Sequence, residues 1–276
     1  MDGILLINKE KNMTSHDVVH QLRKILQMKK IGHTGTLDPQ ATGVLVILLG
    51  KACKALPFLE NTDKEYIASI ALGKRTISDD IWGEVLEEKD VKPIDDFPAL
   101  CQAMIGKQMQ LPPMISSIKV NGKKLYEYAR NHEQIEVKKR PIEIYEMEVL
   151  EEATFTFRCL CSSGTYVRSI CRDLAVASGN LGCMSSLVRT KAGGFTLSQC
   201  VKLEDVAAGH FTLIPLMQAL SHFPQLAVTD PKDVLNGKHL RFDLPYDEVL
   251  LTHNNEALAI YRRHHGNVFA CVRGLW

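Results

Sequence analysis

The chain has 276 residues, with 45% apolar, 24% charged and 7% aromatic side chains and a formal net charge of +1. Those proportions exclude disordered, collagen-like and low-complexity architectures, and the length allows one large domain or a main domain with a small companion. No window approaches the ~20 consecutive apolar residues of a membrane helix, and the N-terminus lacks a signal peptide's basic start, so eight cysteines read as free thiols of a cytoplasmic protein.

In chain order, Gly3 to Ile7 reads as a buried strand, and Thr14 or Ser15 caps a helix striped by Val18, Val19, Leu22, Ile25 and Leu26. Residues 31–43, IGHTGTLDPQATG, read as an irregular loop, and Val44 to Leu49 as an element buried on all sides. Tyr66 to Leu72 alternates like a strand, whereas Phe97, Leu100, Cys101, Met104 and Ile105 keep helical spacing. After the break at Pro112 and Pro113, Asn121 and Gly122 signal a hairpin, followed by a short helix with Tyr126, Tyr128 and Arg130. Glu143 to Leu150 and Thr154 to Cys161 read as strands, the second presenting Phe155, Phe157, Cys159 and Cys161 on one face. A helix from Tyr166 to about Ala177 ends at Gly179. Past Phe195 four prolines punctuate short apolar pieces. The last twenty residues read as strands around a His-His-Gly turn, which predicts a small all-β domain beyond a boundary near residue 210.

Charge is distributed in blocks: +4 over 1–56, −6 over 57–106, +4 over 107–145, −4 over 146–157, +4 over 158–191 and −1 over 192–276. The cationic blocks are either mixed solvated surface or one basic face for a polyanion. The cysteine spacings do not form paired C-x-x-C units, so Cys159 and Cys161 read as strand core. The glycine-rich loop matches no nucleotide-binding fingerprint, and neither a cofactor nor a metal site is indicated. One carboxylate stands out, Asp38, in the glycine-bracketed loop with His33 five residues earlier. As an Asp before Pro it is by default a turn residue. Arg168 enters a helix that otherwise buries Val167, Ile170 and Leu174, so it requires an anionic partner, for which Asp38 is the natural nominee.

HTGTLDPQATGVL (33–45) resembles the catalytic-loop signature of the TruB family of tRNA pseudouridine synthases. The resemblance extends, in order, through GILLINKEKNMTSHDVV (3–19), DKEYIASIALGKRT (63–76), LPPMISSIKVNGKKLYEYAR (111–130) and SSGTYVRSICRDL (162–174), covering about residues 1–205. It implies an α+β fold, a mixed, mainly antiparallel central sheet flanked by helices. The expected domains are a catalytic one over 1–210 and a β-rich PUA-like one over 211–276. By position, Asp38 falls on the nucleophile, Tyr66 on the tyrosine that stacks on the target base, and Arg168 on the arginine that pairs with the aspartate. Tyr166 and Leu187 fall on residues lining the uracil pocket, and His33 on the histidine that holds the flipped-out nucleotide. The implied partner is the T arm of tRNA, bound by a monomer without cofactor, metal or membrane. The rival reading is an RNA-folding helper on the same scaffold. Ile77 and Ser78 stand where the family usually has Asp-Thr, Asn8 and Glu10 replace a common Asp and Pro, and Asn131 replaces a Gly. These departures are expected to leave the catalytic set untouched.

Overall fold

The structure, a computed structural model, describes residues 1–59, 62–131 and 133–276. The apolar run after Asp2 forms β1 (Gly3–Lys9). Helix α1 (Ser15–Ile25) opens on a capping box: the Thr14 hydroxyl accepts from the Asp17 amide at 3.0 Å, and the Asp17 carboxylate accepts from the Thr14 N–H at 2.8 Å. Then come β2 (Ile31–His33) and β3 (Thr42–Leu49). The predicted loop is therefore shorter than 31–43. Ile31 pairs with Leu49 and His33 with Ile47, because β3 offers ladder groups that a local reading of glycine and proline does not see.

Next along the chain are β4 (Lys64–Leu72), β5 (Lys74–Thr76), β6 (Val85–Glu88), α2 (Phe97–Ala103) and β7 (Gly106–Gln110). They are followed by β8 (Lys119–Val120), β9 (Lys123–Lys124), α3 (Leu125–Arg130), β10 (Arg140–Glu151), β11 (Thr156–Cys161), α4 (Val167–Ala177) and β12 (Gly182–Ala192). The tail holds β13 (Phe195–Thr196), α5 (Leu203–Ala207), α6 (Leu216–Ala219), β14 (Gln225–Ala227), α7 (Lys232–Leu235), β15 (Leu240–Arg241), β16 (Glu248–His253), β17 (Glu256–His265) and β18 (Val268–Gly274). The β8–β9 hairpin turns on Asn121 and Gly122, both at positive φ, as the Asn-Gly pair requires. Phe155 is not part of β11. It takes a φ of +47° in the preceding turn, and its ring stands edge-on to Phe97 at 5.2 Å.

The chain forms two compact units, one of Met1–Pro39, Gly43–Asn61 and Phe195–Trp276, the other of Gln40–Thr42 and Thr62–Gly194. In the first, β1 lies antiparallel to β3 from Gly3 opposite Leu49 to Lys9 opposite Gly43. Val18, Val19 and Leu22 of α1 bury against Leu5, Ile7, Leu45 and Ile47, so the stripe read at helical spacing is the core face. The tail strands form a five-stranded sheet, β14-β16-β17-β18-β15, parallel only at β14–β16. One of its cores gathers Val249, Leu251, Tyr261 and Phe269; another takes in Ala55, so residues 211–276 have their own sheet but share packing with the chain after β3.

The second unit is an antiparallel sheet in the order β12-β4-β11-β10-β7. Tyr66, Ala68 and Ile70 alternate on one face of β4, with Cys159 and Phe157 of β11 opposite Tyr66 and Ala68, and Arg189 and Leu187 of β12 opposite them on the other side. Helix α4 covers this face. A Cβ at Gly182 would stand 2.5 Å from that of Ala175, so glycine is what lets helix and strand approach.

The other face of β4, with Glu65, Ile67, Ser69 and Ala71, carries a buried charge. Glu65, 5% exposed, accepts from Arg158 at 2.9 Å, Lys191 at 2.9 Å and the Thr190 hydroxyl at 2.8 Å. Burial pushes its pKa up, but hydrogen bonds from Lys191, Thr190 and Arg158 outweigh that and hold it below the ordinary 4.5. The stability this contributes is therefore whole above pH 4.5 and is lost as pH falls below it. Glu65→Gln should cost about 1–2 kcal/mol at neutral pH, since its cationic partners are partly exposed and screened, and should flatten this part of the acid unfolding profile. Calorimetry from pH 3 to 7 checks both.

Candidate active site

The loop that carries Asp38 is anchored on both sides of it. Ser15, the first residue of α1 and 1% exposed, accepts from the Leu37 amide at 2.8 Å and donates to the Leu37 carbonyl at 3.3 Å. Lys9, also 1% exposed, donates from Nζ to the carbonyls of Glu10 and Met13 at 2.8 Å and of Pro39 at 3.1 Å. A buried ammonium met by three carbonyl oxygens is a rigid clamp, so residues 37 and 39 are fixed while the half-buried Asp38 projects between them. His33, at the end of β2, accepts at Nδ1 from the Gly35 amide at 3.3 Å. Asp38 and His33 both belong to the first unit.

Tyr66, Tyr166, Arg168 and Leu187 belong to the second. Tyr66 and Leu187 share the α4-covered sheet face, at 7% and 8% exposure. Tyr166 caps α4. Gln110, at the end of β7, grips its backbone twice, accepting from its N–H at 2.8 Å and donating to its carbonyl at 3.0 Å.

Within its own unit Arg168, 6% exposed, donates to the carbonyl of Ser78 at 2.8 Å and that of Ile115 at 3.1 Å, and lies 3.7 Å from the Asp80 carboxylate. Asp80 is itself oriented by the Ser78 hydroxyl at 2.8 Å and the Trp82 amide at 3.2 Å. The departure at Ile77 and Ser78 thus does touch the candidate set, contrary to expectation. Arg168 is served by the Ser78 backbone carbonyl, which any residue at that position would supply, and by a carboxylate that the Ser78 hydroxyl steadies.

One turn on, Arg172 pairs with Asp79 at 2.6 Å and donates to the Leu111 carbonyl at 3.0 Å, so both arginines of α4 hold the same two segments, 78–80 and 111–115. Burial pushes the Asp79 pKa up, against the pull of Arg172 and Arg168. Asp79, Asp80, Gln110 and Arg172 were not among the residues singled out from sequence, and no periodicity marks them. Arg189 is different. It is 1% exposed opposite Tyr66, and it too was missed, although two-residue alternation from Leu187 is a signal that could have found it.

The eight cysteines are free, and burial pushes the Cys101 thiol up to about 12 and that of Cys171 well above its usual value. Such thiols are packing groups rather than nucleophiles. Among the described residues no cluster of His, Cys, Asp or Glu is arranged to hold a metal ion, and no helix is long and apolar enough to cross a membrane.

Within the first unit, then, a carboxylate is mounted on a clamped loop; within the second, a buried guanidinium and an aromatic ring are mounted on a rigid sheet and its covering helix. Residues 23–167 match the profile of the TruB family pseudouridylate synthases, N-terminal domain. Proteins called tRNA pseudouridine synthase B are 41% identical in Geobacillus thermodenitrificans, covering 96% of this chain and 95% of theirs, and 39% identical in Oceanobacillus iheyensis, covering 97% and 94%. The chain belongs to the TruB family of pseudouridylate synthases, and is an isomerase. In fold it is similar to a chain of a Cbf5-Nop10-Gar1 complex, at a TM-score of 0.71 and 24% identity over 99% of this chain and 85% of that one.

The loop anchors separate by mutation. Ser15→Ala leaves the buried Leu37 amide unpaired, which should cost about 1–3 kcal/mol and lower kcat. Thr14→Ala removes an exposed cap worth about 1 kcal/mol and should leave kcat unchanged. Thermal melts and single-turnover rates on the two variants check the contrast.

Proposed function

We propose that this protein converts uridine 55 in the T arm of tRNA to pseudouridine, acting as a cytoplasmic monomer. The observation that carries the reading is the half-buried Asp38 between two anchored neighbours, in a chain about 40% identical to tRNA pseudouridine synthases B. The reaction breaks the N1–C1′ bond, turns the uracil and joins C5 to C1′; C5 gives up its proton and N1 regains one. Nothing is oxidised or reduced, so the chemistry calls for no redox cofactor.

Asp38 is the nucleophile, and must be ionised in a pocket that excludes water. Desolvation raises a carboxyl pKa; a guanidinium within ~4–6 Å opposes that. Arg168 supplies it in the reacting complex, and its planar fork suits the task better than an ammonium. Tyr66 stacks on the extruded base, offsetting the few kcal/mol of unstacking, while Tyr166 and Leu187 line the uracil pocket and His33 holds the flipped nucleotide. The basic segments at 23–30 and 119–140 meet phosphates, and 211–276 serves as a PUA-like RNA-binding part whose β17 carries Arg262, Arg263, His264 and His265.

Asp38→Asn should abolish pseudouridine formation in a T-arm stem-loop while RNA affinity stays within about threefold; turnover at the wild-type rate removes the nucleophile assignment. Arg168→Lys should lower kcat by about 100-fold with a much smaller change in Kd, because a lysine keeps the charge but not the fork that also holds Ser78 and Ile115. Pseudouridine mapping of the treated RNA reads out both.

A further inference from the structure

Leu86, Met109 and Leu111 are exposed by 47%, 56% and 39%, yet they do not scatter: all three line one cavity of about 470 Å³ in the second unit. That volume is within the range of small-ligand sites, and apolar side chains left open to water and gathered in a hollow mark a surface that something covers. Tyr66, Tyr166, Arg168 and Leu187 do not line this cavity, so it is distinct from the face on which the uracil pocket was placed.

Its cations differ in how far they are engaged. Arg172 donates to Asp79, Asp173 and the Leu111 carbonyl, so its guanidinium is already committed to protein oxygens. Two other cations of the lining are better able to take an anion. Arg75, whose side chain is 48% exposed, shares only a 3.5 Å contact with Glu87, and the Lys139 ammonium enters no ion pair or hydrogen bond among the described residues. A ligand that fits presents a flat, largely apolar body to thioether and leucine walls and an anionic group to these two cations. A phosphate group free in solution lacks the body; a lone aromatic ring lacks the charge.

We propose that this cavity seats one unpaired nucleotide of the RNA substrate other than the target uridine, its base against Met109, Leu111 and Leu86 and its phosphate between Arg75 and Lys139. The proposal rests on the RNA substrate proposed above. With Arg172 engaged by Asp79, Asp173 and the Leu111 carbonyl and the walls apolar, the seat accepts a base by stacking and size rather than by identity.

Two surface variants test it: Met109→Trp, which fills the hollow, and Lys139→Glu, which reverses one of the two charges. Each should raise KM for a T-arm stem-loop about tenfold while changing kcat less than twofold. In protein carrying 13C-methyl methionine, the Met109 and Met114 methyl signals should shift on adding the stem-loop or millimolar uridine 5′-monophosphate, and not on adding inorganic phosphate. Unchanged KM in both variants, or equal shifts with phosphate alone, overturns the seat while the T-arm assignment stands. If the wild-type protein fails to modify the stem-loop, the T-arm assignment falls, and the response of the methyl signals to the monophosphate still decides the cavity.

Discussion

A guanidinium that is 6% exposed has to be met by oxygen atoms brought from elsewhere in the chain, and the way Arg168 is met organises much of the second unit. Its donors reach the carbonyls of Ser78 and Ile115, which lie 90 and 53 residues away. Arg172, on the same side of α4, repeats the connection at Asp79 and Leu111. Two side chains one helical turn apart thereby tie the turn after β5 and the Pro112–Pro113 segment to a single helix. Because the helix is itself pressed onto β12 where Gly182 admits Ala175, the loops inherit the position of the sheet. Loops held this way are as well placed as strands, which a site for oriented chemistry needs.

The parts legible in the sequence are those set by local period or local chemistry. Helix α1 is an example: its apolar stripe and its Thr14 cap are both short-range facts, and both hold. So is the β8–β9 turn, where Asn121 and Gly122 need the positive φ they adopt. What the sequence conceals is set by partners distant along the chain. Ile31 to His33 is a strand only because β3 lies beside it. Asp79 and Asp80 sit in the acidic block 57–106, where no local pattern singles them out, and they gain their role as ion-pair partners only once α4 delivers two arginines. Asp38 was legible as a carboxylate in a glycine-bracketed loop but not as to what anchors that loop; Lys9, at the end of a largely apolar strand, gives no hint that its ammonium reaches Pro39, thirty residues on.

The same distinction applies to charge. A net +1 supplies little long-range attraction for a polyanion, so affinity must come from local clusters. The block at 119–140 looks uniform in sequence, but its cations are not equivalent. Lys123 is spent on Glu133 at 2.6 Å and on the Tyr128 ring at 4.6 Å, and Lys124 lies over Tyr126 at 5.4 Å. Lys119, Arg130, Lys138, Lys139 and Arg140 enter no ion pair among the described residues and keep their donors free. For the RNA partner proposed here, counterion release then scales with the free cations rather than with the whole block, since a lysine already paired to a carboxylate must break that pair before it neutralises a phosphate. Lys123 and Lys124 instead shape the surface, holding the tyrosines of α3 against the hairpin that precedes them, so that one basic block does two physical jobs.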